Sequence, residues 1–150
     1  MEATKRYLEK DEKKAIDIDS LPPKIFEPLV TEGLLVDLVE PGRLLCSFTV
    51  PTRLLNGGNS LHGGATATLV DLVGSAVMFT HGATMTGVSV EISVSYLDAA
   101  YAGEEIEVEA RTLRMGKTMG VVSVEFRKKK SGKIVALGRH TKYLPVSSKM

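Results

Sequence analysis

Asp71 is the only charged residue in an apolar run from Gly64 to Thr80, and a carboxylate in that setting has to be accounted for. Buried without a partner, it would cost several kcal/mol or give up its ionisation. On so apolar a helix the acid must face water, a partner or a cavity. Gly64, Ala67, Thr68, Gly74 and Ser75 share its stripe at helical spacing, and all are small or polar. Such a stripe lets another backbone approach or lines a ligand channel, and Gly74 in mid-helix costs about 1 kcal/mol against Ala. A carboxylate facing a channel can act as general base or nucleophile. A structural acid capped by neighbouring hydroxyls is the plainer reading.

The second feature is Leu61-His62-Gly63-Gly64, where a loop enters that helix. The first N–H groups of a helix lack intrahelical acceptors and carry the positive end of its dipole. Glycine there admits a ligand close to the backbone. The Gly63 N–H is the natural donor to an oxygen that becomes negative during acyl transfer. Two glycines making a tight turn is the simpler alternative. Asp71 follows His62 by nine positions, about 13 Å along a helix, too far for both to touch one carbon from a single chain. Two copies packed with their helices antiparallel would bring Asp71 of one to the helix start of the other, so catalysis implies at least a dimer.

Other candidates carry less. Ser89 opens a strand and by parity points away from Val88 and Val90, as a surface or interface serine would. His81 suits a helix C-terminus as a dipole partner. The Gly116-Lys117-Thr118 turn, the run from Arg127 to Lys130, and Arg139-His140-Thr141-Lys142 offer cations to nucleotide phosphates. Taken singly, each is more simply a solvated strand end.

These residues need a scaffold. Leu34–Val39 and Leu44–Val50 alternate as strands around the turn-forming Glu40-Pro41-Gly42-Arg43. Asn56-Gly57-Gly58-Asn59-Ser60 is a loop, and Gly64 to Thr80 is one long helix, buried on most sides, with Gly82 as its stop. Four strands follow: Val88 to Tyr96, a segment around Ile106, Val108 and Ala110, one around Val122, Val124 and Phe126, and Lys133–Leu144. Each buries one face and wets the other, including the face of Glu105, Glu107 and Glu109. A lone apolar helix needs a curved sheet to cover it. The expected fold is therefore α+β, a hotdog fold in which a curved antiparallel sheet of about six strands wraps one long central helix. Residues 1–33 form a charged arm with short helical turns, helped by Glu2/Arg6 and Glu9/Lys13 spacing, and residues 34–150 form the domain.

Composition narrows the function. A net charge of +1 over 150 residues gives no footprint for nucleic acid. Cys46 is the single cysteine, so no internal disulfide forms; it alternates with Leu44, Phe48 and Val50 as a core thiol. With three histidines it forms no cluster at zinc-ligand spacing, and neither a metal nor another cofactor is expected. The mixed-charge start is neither a secretory signal nor a transit peptide, and no segment is expected to reach the ~18 apolar residues of a membrane span. The C-terminal Ser148-Lys149-Met150 is a variant of the peroxisomal Ser-Lys-Leu signal, which makes a peroxisomal location, or else a cytoplasmic one, the expectation.

The combined pattern is specific. Asn56, then His62-Gly63-Gly64 through Asp71, then Gly87-Val88-Ser89-Val90, resembles the four-hydroxybenzoyl/phenylacetate branch of hotdog thioesterases, especially the thioesterase superfamily member 2 type. Gly116-Lys117-Thr118 and Gly138-Arg139-His140-Thr141-Lys142 are similar to that type too, so the resemblance runs from Leu34 to Leu144. It implies hydrolysis of an acyl-CoA thioester by a homodimer or a homotetramer of two dimers. Asp71 would be base or nucleophile on the partner's thioester, Gly63 would hold the carbonyl oxygen, Asn56 and His62 would orient the thioester, and Ser89 would help hold the water. Gly64, Thr68, Lys117, Arg139 and His140 complete the expected substrate-binding set. Water attack and a covalent anhydride through Asp71 both agree with the sequence. A hotdog hydratase or dehydratase, or a non-catalytic acyl-CoA-binding protein, is the alternative reading.

Overall fold

The six alternating segments are all strands: β1 (Leu35–Glu40), β2 (Arg43–Thr49), β3 (Val88–Tyr96), β4 (Glu105–Met115), β5 (Met119–Lys128) and β6 (Ile134–Tyr143). The computed structural model describes residues 1–9 and 16–145, so Lys13 and the Ser148-Lys149-Met150 tripeptide lie outside the described residues. Every neighbouring pair is antiparallel, in the order β1-β2-β4-β5-β6-β3. The strands before and after the helix join where β2 pairs with β4. β3 crosses to the far edge beside β6.

Before the sheet, α1 (Glu2–Leu8) buries nothing, and the ion pair there joins Lys5 to Glu9 instead of the expected Glu2 to Arg6. The short α2 (Phe26–Thr31) sends Val30 into the core.

The helix α3 (Gly63–Ala76) begins one residue before its expected start and tightens into a 3-10 turn, Val77–His81. Gly82 then stops it at φ +79°, the left-handed conformation that glycine adopts without a Cβ penalty. Thr80 Oγ1 donates to the Val77 carbonyl and accepts the Gly42 N–H, which ties the helix end to the β1–β2 turn. Leu69, Val70, Val73, Val77 and Met78 are buried in one core with Phe48, Ile106, Val108, Val124 and Phe126. The expectation of burial on most sides is too strong, because Ala67, Thr68, Asp71, Leu72 and Ala76 are only half-buried. The helical run Gly63–His81 has 19 residues and is apolar enough to cross a membrane by length and composition, which corrects the expectation that no segment reaches that length. It is the core helix of the sheet, and half of it is buried there.

Small residues on β6 let the helix approach. A Cβ added at Gly138 would lie 2.5 Å from Val70 Cγ2, and Val70 is fully buried and branched at Cβ, so it has nowhere to turn. Gly138→Ala is expected to cost about 1–3 kcal/mol, read as a lower urea midpoint with an unchanged slope.

The outer face of the sheet departs from the sequence expectation at Glu109, which is 7% exposed. Arg111, Arg43 and Arg127 approach it at 2.6, 3.0 and 3.3 Å, and Arg127 also reaches Glu107 at 2.7 Å. Burial pushes the Glu109 carboxyl up, but the three guanidinium groups outweigh it and hold the acid below its ordinary range. Cys46 is 1% exposed, and burial pushes its thiol up to about 11.

Candidate active site

Ser89 reaches the concave face through a β-bulge. Along β3, Ile92, Val94 and Tyr96 pair with His140, Gly138 and Ala136, on the face turned to α3. Strict alternation would put Ser89 on the opposite face. The register shifts between Ser89 and Glu91, so Ser89 pairs with Lys142 and rejoins the helix side. Its parity against Val88 holds and it is exposed, as a surface or interface serine would be, but its hydroxyl faces the helix. Ser89 Oγ donates to Asp71 Oδ1 at 3.2 Å and lies 2.8 Å from His140 Nε2.

Ser89 has one hydroxyl proton to place between Asp71 Oδ1 and His140 Nε2, and the tautomer of the ring sets which of them receives it. Nδ1 is buried toward the Val70 backbone of α3 and makes no close hydrogen bond among the described residues. His140 is fully buried and therefore is no solvated strand-end cation. Burial pulls its imidazole below the ordinary value, Lys142 acts in the same direction, and Asp71 opposes both. The 3.6 Å approach of His140 Nε2 to Asp71 Oδ1 thus joins a neutral ring to a carboxylate. Gly74 makes room for this ring, since a Cβ there would stand 3.1 Å from His140 Nδ1. The glycine in the small-residue stripe serves a histidine and not a second backbone or a channel.

Asp71, Ser89, Lys142, Ser75, Phe79 and Glu27 line a cavity of about 500 Å³. A second cavity of about 500 Å³ lies at the other end of α3 and includes Asn56, Ser60, Gly63, Thr66, Tyr96 and Asp98. His62 caps the helix there: its backbone is extended, at φ −61° and ψ 132°, and its Nδ1 accepts the Gly64 N–H at 2.8 Å. With Gly64 so occupied, the Gly63 N–H has no acceptor among the described residues. Tyr96 Oη donates to the Gly63 carbonyl at 2.6 Å and braces the same peptide from β3.

The expected residues divide between these cavities. Asn56 stands by Gly63, but its amide is spent on its own loop: Oδ1 accepts from the Gly58 and Ser60 N–H groups and Nδ2 donates to Ser60 Oγ. Gly64 and Thr68 lie on the open side of the helix, where Thr68 Oγ1 donates to the Gly64 carbonyl. Lys117 is exposed on the β4–β5 turn, beside Thr118, whose carbonyl accepts the Leu144 N–H. Arg139 is exposed and His140 buried, because neighbours on a strand face opposite ways, so the two cannot hold one phosphate together. Tyr96 and Lys142 were not assigned individually from sequence. The signal for Lys142 was its parity with Ala136, Gly138 and His140 on the buried face of β6.

An antiparallel six-stranded sheet curved over one central helix, with a carboxylate on that helix and an open N–H at its start, defines a hotdog domain. The chain belongs to the thioesterase superfamily, which it matches over residues 58–135. It is 39% identical over 104 residues to human acyl-coenzyme A thioesterase 13, spanning 69% of this chain and 74% of the relative. Two solved structures are similar throughout the domain. Zebra fish thioesterase superfamily member 2 superposes with a TM-score of 0.74 at 36% identity, covering 81% of this chain and 94% of the other. The Mus musculus protein of the same name gives 0.75 at 37%, covering 81% and 90%.

Proposed function

We propose that the protein hydrolyses acyl-CoA thioesters to the free acid and CoA, at sites each built from Asp71 of one subunit and the start of α3 of another. One observation carries the reading: the only acid on the helix and its open N–H line separate cavities, about 12 Å apart along α3. Antiparallel packing of two copies would bring each acid to the other's helix start. Edge strand β3 supports such pairing, with Val88 67% and Val90 59% exposed along it; a long apolar edge left open would recruit other chains. Two such dimers would form the tetramer that the family resemblance implies. The name of the human relative supports acyl-CoA as substrate.

In this mechanism Asp71 Oδ1 is held by Ser89 and the second oxygen takes a proton from water. The hydroxide attacks the thioester carbon, and charge gathers on oxygen at the partner's Gly63 N–H, where no other acceptor competes. The tetrahedral intermediate collapses, the C–S bond breaks and CoA leaves as thiolate.

The test is free-thiol release from saturated acyl-CoAs, run beside hydration of enoyl-CoA by the same preparation. Thiol release with no hydration is the expected result. Hydration without thiol release would replace the reading with a hydratase, and tight acyl-CoA binding with neither would replace it with a binding protein.

A further inference from the structure

The first peptide inside α3 joins two glycines, Gly63 and Gly64. With no Cβ on either side, the backbone there has the widest choice of φ and ψ and cannot hold one orientation by itself. Side chains from outside the helix supply the restraint. Tyr96, the last residue of β3, donates from Oη to the Gly63 carbonyl at 2.6 Å. His62 Nδ1 accepts the Gly64 N–H at 2.8 Å. Both polar atoms of this one peptide are therefore held, its oxygen from the sheet and its nitrogen from the helix cap. The Tyr96 ring also lies against Gly63, where a Cβ would stand 3.4 Å from Cε1, Cζ and Oη.

We propose that Tyr96 is a positioning residue: by clamping the peptide between Gly63 and Gly64 from β3, it sets the aim of the adjoining Gly63 N–H at the developing oxyanion. The inference rests on the thioesterase reading of this site. An oxyanion donor is effective when its direction is fixed before the charge appears, and a freely turning glycine backbone would lose that advantage. The polarity of both bonds is set by the backbone, since a carbonyl only accepts and a peptide N–H only donates. The neutral His62 ring accordingly carries its proton on Nε2. A donor on the carbonyl polarises the amide and strengthens the Gly64 N–H bond to His62, so the two ends of the clamp support each other. Tyr96 is 55% exposed and lies outside the core, so its hydroxyl has little part in holding the fold.

The experiment compares the full-length protein with Tyr96→Phe, which keeps the ring and removes the donor. Amide exchange followed by NMR is expected to be about tenfold faster at Gly64 in the variant, with the urea midpoint unchanged. With saturating acyl-CoA, kcat should fall by about tenfold, while KM stays within about twofold. Para-aminophenylalanine at position 96 restores a donor and should return most of the lost kcat, which a packing role alone would not produce. Para-fluorophenylalanine fills the space of the hydroxyl without donating and decides the matter should the Phe variant fail to fold. A folded variant with wild-type kcat overturns the inference. A raised KM at unchanged kcat also overturns it, because Tyr96 would then be a substrate contact. Faster Gly64 exchange in a protein that hydrolyses no acyl-CoA supports the clamp and removes the thioesterase reading.

Discussion

Asp71→Asn is expected to lower kcat for thiol release by about a thousandfold with KM and subunit association little changed. Asparagine has almost the same shape and keeps a carbonyl oxygen to accept the Ser89 hydroxyl, so the bond now made at 3.2 Å can persist. What it lacks is basicity. The half-buried position on the open side of α3 also means that no core contact is lost. Circular dichroism and sedimentation of the variant separate lost chemistry from lost fold. An Asp71→Asn variant with wild-type kcat would show that Asp71 is not the base.

Gly63→Pro should lower kcat by about 10²–10³-fold, the usual effect of deleting one oxyanion donor. The substitution takes away the proposed donor and puts the proline Cδ where the N–H pointed, so KM is expected to rise as kcat falls. Gly63 is the first residue of α3, where proline is well tolerated because its N–H is unused by the helix. His62 before it is already extended, as a residue preceding proline prefers. The Gly63 carbonyl that receives Tyr96 Oη is retained. Mixing the Asp71→Asn and Gly63→Pro chains through unfolding and refolding then tests where the site is. Half of the dimers are mixed, and each mixed dimer has one intact site of two, so about a quarter of wild-type activity should return. A site contained within one chain would give no recovery.

Much of this was legible in the sequence, where local chemistry and pattern agreed. The alternation in β4, β5 and β6, the apolar α3 and the Gly82 stop each follow from a period or a turn requirement. Asp71 stood out because an acid in an apolar helix is costly, and Gly63 because helix starts leave N–H groups open. The failures share one cause, namely that neighbours across the sheet are invisible along the chain. The bulge that returns Ser89 to the helix side is set by pairing with β6, and the burial of Glu109 by arginines on β2 and β5 as well as its own strand. His140 looked like one of a run of strand-end cations, whereas pairing and helix packing put its ring beneath Asp71. Parity along β6 is enough to separate Arg139 from His140 when it is weighed above charge.

The absent side chain at Gly74 ties two distant positions into one packed unit. With a methyl group there only 3.1 Å from Nδ1, the imidazole of His140 would have to shift, and the bond to Ser89 would shift with it. A side chain at position 74 is therefore accommodated only if the ring gives by a few tenths of an ångström. Gly74→Ala sets a gain of about 1 kcal/mol in helix propensity against that displacement, and an unchanged kcat in the variant would show that the ring and Ser89 have room to move together.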